Sequence, residues 1–434
     1  MKKLNTLIKE LHSFLILWIT QSLSSLGSSM TNFALVIWSY QEQGSALSTA
    51  LLSVCSYAPY VIMSIFAGAL SDKWNKKITM LVSDSVAALC TVVVMVLLLT
   101  GRLEIWHLYV LNGINGLMNT IQQPAADVTI TLLTPSKHYQ KVSGFRSFSN
   151  SLNTILTPVL ATAILAFWGL QAVIWIDLVT FVVAFFSLVC FIKIPQIPRE
   201  EEQKETVLQS AFSGLRYLKE NRGILDLILF LAAINFIASI YDAALPAMIL
   251  SKADNIALGT VNTVIGIATL AGSILVSLVP EPKSRVRVIC NTLLLSMSTE
   301  NFVLAFADDL PLWCVGAFLG WISIPIMNAN MDVIFREKIP VSMQGRVFSA
   351  RNTLQFFTIP LGLFLGGALV DTVFEPLMAK QAAGSLLTNL FGMGKGSGAQ
   401  MLFFLIGIVG VIVCLVFRRD SHIWALEDIA KNKE

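Results

Sequence analysis

Apolar residues run along this chain in blocks close to the roughly 18 to 20 needed to cross a bilayer as a helix, with short polar turns between them. The blocks fall near 13–39, 47–70, 78–100, 105–128, 145–168 and 170–192, then near 223–250, 257–279, 287–306, 311–334, 347–370 and 400–417. No strand alternation of the kind an outer-membrane barrel requires is visible. The pattern predicts an all-α membrane protein of twelve transmembrane helices.

Within the spans, polar positions recur at helical spacing. Span 1 carries Gln21, Ser25, Ser28 and Asn32 on one face, and span 4 carries Asn112, Asn115, Asn119 and Gln122. Span 5 offers Arg146, Asn150, Asn153 and Thr157, span 7 Asn235, Ser239 and Asp242, span 8 Asn262, and span 11 Arg351, Gln355 and Thr358. Polar side chains in a bilayer are tolerated where they face other helices or a wet cavity. The stripes therefore predict a central polar cavity, while spans 3, 6 and 12, nearly apolar all round, read as its outer shield. For any single Asn or Gln the competing reading is an interhelical hydrogen bond worth about 1 kcal/mol.

A polar break at 193–222 separates the two sets of six. Its first part, IPQIPREEEQKE, is too charged to enter a membrane, and its second, TVLQSAFSGLRYLKENRG, gathers Leu208, Phe212, Leu215 and Leu218 on one helical face. This predicts an N-terminal half at 1–195, a cytoplasmic linker with a surface amphipathic helix at 196–222, and a C-terminal half at 223–434.

An internal repeat supports two related halves. Residues 127–146 align with 332–351, matching Asp127 to Asp332, Pro135 to Pro340, Val142 to Val347 and Arg146 to Arg351. NSLNTILTP at 150–158 likewise matches NTLQFFTIP at 352–360. A second echo, GALVD at 367–371 against GALSD at 68–72, falls at the outer end of its span and reads as a coincidence. The loop VPEPKSRVRV after span 8 is the positional counterpart of GALSDKWNKKITML.

Composition agrees with a lipid solvent: 55% of residues are hydrophobic and 13% charged, where a soluble chain carries about a quarter charged. Charge also sets the topology, because Lys and Arg collect on the cytoplasmic side. With both termini inside, only Arg102, Lys252, Lys380 and Lys395 of the 30 Lys and Arg lie outside. The first apolar block is too long for a signal-peptide core and lacks a small-residue cleavage site, so it reads as a first span.

The chemistry-bearing residues are few. Cys55, Cys90, Cys190, Cys290, Cys314 and Cys414 stand singly within apolar runs and read as small packing residues. His12, His107, His138 and His422 are far apart in sequence, so no metal site and no cofactor is expected. GMGKGSG at 392–398 lacks the spacing of a nucleotide-binding loop and argues against an ATP-driven pump or other enzyme.

Carboxylates inside spans are costly to hold charged, which makes them candidates for taking up and releasing protons. Asp242, about 24 Å into span 7, is the first candidate and Glu300 in span 9 the second, although span 9 looks peripheral. Asp84 and Asp177 read as packing residues, and Asp226, Asp127 and Asp332 as charge partners near inner ends.

GALSDKWNKKITML after span 2 resembles the first inner loop of the major facilitator superfamily, G-x-L-x-D-x-x-G-R-K, with Gly68, Leu70, Asp72, Lys76 and Lys77 matching and Asn75 in place of a Gly. TNFAL, QQPAADV, GLRYLKENRG and GRVFSARN resemble, more narrowly, the bacterial macrolide-efflux branch of drug:proton antiporters. The resemblance implies two pseudo-symmetric six-helix bundles and a monomer in the bacterial inner membrane that exports small amphiphilic drugs in exchange for protons, with no nucleic-acid partner. It implies a gate in which Asp72 faces the N-terminus of span 11, with Gly68, Lys76 and Lys77 in the same turn, and Asp127, Arg146, Asp332 and Arg351 as a symmetric second set between the halves. The chain departs from the branch at Asn112 and Ala87, where drug exporters often carry Arg. A lysophospholipid or siderophore carrier of the same fold, and a non-transporting receptor, are the alternative readings.

Overall fold

The computed structural model describes residues 10–135, 138–194 and 207–431, without side chains at 64–73, 139–141, 207–212, 341–342, 344–346, 428–431 and three single positions. Among the described residues it is all helical, with no strand. The helices are α1 (His12–Gln43), α2 (Ala46–Lys73), α3 (Lys76–Leu99), α4 (Ile105–Leu133), α5 (Tyr139–Cys190), α6 (Val207–Glu220), α7 (Arg222–Lys252), α8 (Asn255–Leu278) and α9 (Arg285–Phe306). They continue as α10 (Leu310–Trp321), α11 (Ile324–Lys338), α12 (Val341–Phe356), α13 (Thr358–Leu369), the short α14 (Glu375–Ala379) and α15 (Leu386–Phe391), α16 (Ser397–Arg418) and α17 (Ser421–Lys431).

Every one of the predicted spans falls on helix. Nine segments of the described chain are long and apolar enough, by length and composition, to cross a membrane. One of them holds two predicted spans, because Gly169 (φ 77°, ψ 176°) breaks α5 in a conformation open to glycine. The polar stripes of α1 and α4 keep those helices out of that set.

Local chemistry sets the ends. The Asn75 side chain accepts from Ile78 N and starts α3, while Ser284, Asp254 and Asp309 start α9, α8 and α10 in the same way. Span 10 is divided between α10 and α11, whose first turn carries Pro325. Span 11 is divided between α12 and α13 and ends in a π-helical turn, Val370–Phe374.

The chain forms two compact units: Met1–Trp38 with Cys55–Glu205, and Ser39–Val54 with Thr206–Glu434. The last turn of α1 and the start of α2 thus belong to the second unit. In the first, Leu17, Met80, Ala125, Leu188 and Ile192 form a core cluster, and Trp18 donates to Phe145 O at 3.1 Å. In the second, α7 packs on α13 through glycines: a Cβ on Gly362 would meet Phe236 O at 2.5 Å, and one on Gly366 would meet Ile240 Cα at 2.8 Å. Close backbone approach of this kind lets dispersion hold helices together where lipid supplies no hydrophobic drive. Helix α6 packs against α12, with the Tyr217 hydroxyl donating to Lys338 O at 3.2 Å.

Candidate functional site

In the first unit, α1, α3, α4 and the second half of α5 surround a cavity of about 90 Å³. It collects the predicted Ser28, Asn32, Asn112, Asn115 and Asn119 on one side and Asp84, Cys90, Thr91 and Asp177 on the other. The Asp84 carboxylate accepts the amide of Gln21 at 3.2 Å on one oxygen and that of Gln122 at 2.6 Å on the other. Asp177 is buried and accepts from Ser28 Oγ at 2.9 Å. Gly27 makes that contact possible, since a Cβ there would lie 2.4 Å from Thr180 Oγ1. Spans 3 and 6 are thus not a plain apolar shield: each brings one acid to the polar cavity, and one acid in an otherwise apolar helix does not register as a polar face.

The other predicted cavity residues sit apart from it. Asn153 donates to Ser29 Oγ at 3.1 Å and accepts from Thr157, and Asn150 is exposed. In the second unit Asn235 donates to Gln355 O at 3.4 Å, and Asn262 donates to Leu258 O in its own helix.

The acids of the second unit are arranged differently. Helix α7 is the most enclosed of the candidate spans, yet Asp242 is exposed on its open face, which also carries Asn235. The neighbouring Tyr241 is buried against Phe403, with ring centroids 5.3 Å apart. Glu300 of α9 is only 5% exposed, so span 9 is not peripheral at this depth. Its carboxylate accepts from Trp321 Nε1 at 2.7 Å, and the Tyr241 hydroxyl faces it without the geometry of a regular hydrogen bond. Gly320 makes room, because a Cβ there would fall 2.4 Å from Glu300 Oε2. Asp242 follows Tyr241 directly in α7, so the two proton-coupling candidates lie on neighbouring helices, a proximity the sequence does not show because α7 and α9 are far apart along the chain and only neighbours three or four residues apart can be paired from spacing.

The gate residues divide. The side chains of Gly68 and Asp72 lie outside the described residues. Lys77 Nζ donates to Val189 O at 3.0 Å and Ile192 O at 2.7 Å, satisfying carbonyls at the end of α5. Asp127 pairs with Arg146 inside the first unit, and Asp332 with Arg351 at 3.6 Å inside the second, where Arg351 also lies over the Phe335 ring at 5.0 Å. The symmetric set exists as one pair within each unit. It follows the repeat, tying span 4 to span 5 and span 10 to span 11.

GALVD, a coincidence by its position in the sequence, makes a defined contact in the structure. Asp371, in the π-helical turn, accepts from Ala46 N at 3.0 Å, Leu47 N at 2.9 Å and Ser45 Oγ at 2.6 Å, capping the start of α2. Gly367 lets the chains approach, since a Cβ there would lie 2.6 Å from Leu47 Cα. Tyr40 adds hydrogen bonds to Ala247 O and Ser251 in the same unit. This is the carboxylate-to-helix-start contact expected of Asp72, built at the opposite end of the spans.

Nearby, Lys252 pairs with Asp308, and both bond Gln400. Partial burial works against charge on Asp308, but the Lys252 ammonium and the Gln400 amide outweigh it and hold its pKa below the ordinary value. Asp226 meets His422 at 3.0 Å with Asp420 beside them, a small polar cluster at the start of α17.

Long apolar helices that carry polar and acidic groups between them are the architecture of a helical membrane protein. The chain belongs to the Major Facilitator Superfamily, whose family model matches residues 17–281. It is similar to macrolide efflux protein A of Streptococcus pyogenes, 23% identical over 364 residues that cover 83% of this chain and 90% of that one. It is also similar to the multidrug efflux pump Tap of Mycolicibacterium fortuitum, at 24% identity over 80% of this chain and 86% of that protein. The crystal structure of a D-xylose-proton symporter shares the fold, with a TM-score of 0.64 at 13% identity over 94% of this chain and 98% of that one.

Proposed function

We propose that this transporter exports amphiphilic drugs such as macrolides in exchange for protons, as a monomer in the bacterial inner membrane with twelve spans and both termini in the cytoplasm. Transport proceeds by alternating access of two six-helix halves, 1–195 and 223–434. The observation that carries the proton-coupled reading is Asp242, an exposed acid on a largely enclosed helix, with the buried Glu300 on a neighbouring one. Asp242 exchanges the proton with the aqueous path, and Glu300 holds its neighbourhood through Tyr241 and Trp321.

The gates are at the two ends. Asp371 on the start of α2, with Tyr40 on Ser251, forms an outer latch that opens for release. Gly68, Asp72, Lys76 and Lys77 form the inner one. Accumulation of a fluorescent amphiphilic dye in cells expressing the protein tests the reading. Lower dye content that a protonophore restores is expected, and dye content equal to that of control cells counts against it.

A lysophospholipid carrier is a second reading, favoured by one observation. An apolar groove of about 440 Å³ runs between α3 and α4, lined by Trp74, Ile78, Val82, Met118 and Ile121, and suits an acyl chain.

A further inference from the structure

Span 10 is broken at the point where a buried acid touches it. Helix α10 ends at Trp321 and α11 begins at Ile324, with Pro325 in its first turn. Proline has no N–H to give to the carbonyl one turn back, so the helix loses a rung there. Ser323, itself buried, donates its hydroxyl to Gly320 O at 2.9 Å and takes up one of the carbonyls at the break. Glycines fix what lies on either side. A Cβ on Gly272 of α8 would fall 2.2 Å from Ile322 O, and one on Gly316 of α10 would meet Val303 Cγ1 of α9 at 2.9 Å.

Glu300 of α9 sits directly on this break. One carboxylate oxygen accepts from the indole N–H of Trp321, the last residue of α10, and the other occupies the space that the missing side chain of Gly320 leaves. Among the described residues, the titratable groups that act on this carboxylate are Tyr241 and Asp242 of α7, the first through its facing hydroxyl and the second as a like charge. The helices packed on α9, which are α10, α11, α15, α16 and α17, bring it no Lys, Arg or His.

The chemistry of the contact depends on the proton. A buried carboxylate with neutral donors and no cation is costly to hold ionised, and while it is ionised those donors are what hold it. A hydrogen bond to a charged acceptor is about twice as strong as one between neutral groups. Proton uptake at Glu300 therefore weakens its hold on Trp321, the residue at which α10 gives way to the break.

We infer that Glu300 is a positioning residue that couples proton uptake to the break in span 10: ionised, it clamps Trp321 and holds the junction of α10 and α11 closed, and neutral, it releases that junction. This deepens the proton-coupled reading and rests on it for its purpose, giving Glu300 a mechanical task distinct from proton exchange at Asp242. Its test needs no substrate. Failure of drug export would leave the clamp standing, and failure of the clamp would leave drug export standing.

The test is backbone hydrogen exchange, read by mass spectrometry on the purified full chain in detergent. Wild type, Glu300→Gln and Trp321→Phe are compared at matched pH, so that the intrinsic pH dependence of exchange cancels. At alkaline pH the amides around the break, 322–326, are expected to exchange about fivefold faster in Glu300→Gln than in the wild type. At acid pH the two are expected to agree. Trp321→Phe keeps the ring and loses the N–H, and is expected to exchange fast at both pH values. A gap between Glu300→Gln and the wild type that is equally wide at both pH values would mark a merely structural contact and overturn the inference, as would the absence of any gap. If Glu300→Gln fails to fold, Trp321→Phe decides in its place: its gap from the wild type closes at acid pH if Glu300 is the clamp, and an unchanged gap overturns it.

Discussion

In the first unit, Asp84 and Asp177 share a cavity with amides and hydroxyls, whereas in the second Glu300 is packed against an indole N–H while Asp242 is exposed on another helix. The two halves carry one repeat, and their Asp–Arg pairs, Asp127 with Arg146 and Asp332 with Arg351, still correspond. Their interior acids do not. The shared pairs brace neighbouring spans in each half, so they can stay fixed while the interior acids specialise. Pseudo-symmetry here is a property of the scaffold and not of the chemistry it carries.

The contrast between the units is tested most severely at Asp242. Asp242→Asn is expected to lower protonophore-sensitive dye export about tenfold or more while leaving expression unchanged, whereas Asp84→Asn keeps most of that export. Equal losses in the two variants would mean that the halves share one task.

Next in size is a change of packing. Gly320→Ala places a methyl against Glu300 Oε2 and is expected to destabilise the protein by about 1–3 kcal/mol, read as a lower melting temperature in detergent. Loss of the Glu300 side chain through Glu300→Ala should then relieve part of that cost in the double variant.

At the outer end, Asp371→Asn weakens the cap on α2, a loss of about 1 kcal/mol, and should raise labelling of a cysteine introduced at Leu47. Unchanged labelling would remove Asp371 from the latch.

The smallest effect concerns pH. Because Lys252 and Gln400 hold Asp308 below its ordinary value, their contact is complete above the ordinary carboxylate pKa and is lost only as pH falls through the lowered one. Melting of Asp308→Asn should therefore match the wild type at strongly acid pH and fall slightly below it near neutrality, by under about 1 kcal/mol for so exposed a pair.

Much of the fold is legible in the sequence. The spans can be read because repeated apolar runs of bilayer length serve little purpose other than crossing a bilayer, and Ser28, Asn32, Asn112, Asn115 and Asn119 can be read as one surface because they repeat at helical spacing. What cannot be read is what depends on pairing between helices. Nothing in the α3 sequence says that Asp84 meets Gln21 and Gln122. Glu300 looks peripheral in the sequence because its partners, Trp321 and Tyr241, come from two other helices. GALVD misleads for a related reason: its look-alike stands at the inner end of the spans, whereas its partner is the start of α2 at the outer one.

Proton carriage is proposed at Asp242. It is tested most directly in proteoliposomes, by measuring substrate movement under an imposed pH gradient and, separately, exchange of labelled for unlabelled substrate with no gradient. Wild-type protein is expected to do both, and Asp242→Asn to retain exchange but no longer respond to the gradient. Gradient-driven transport by Asp242→Asn at the wild-type rate would contradict it.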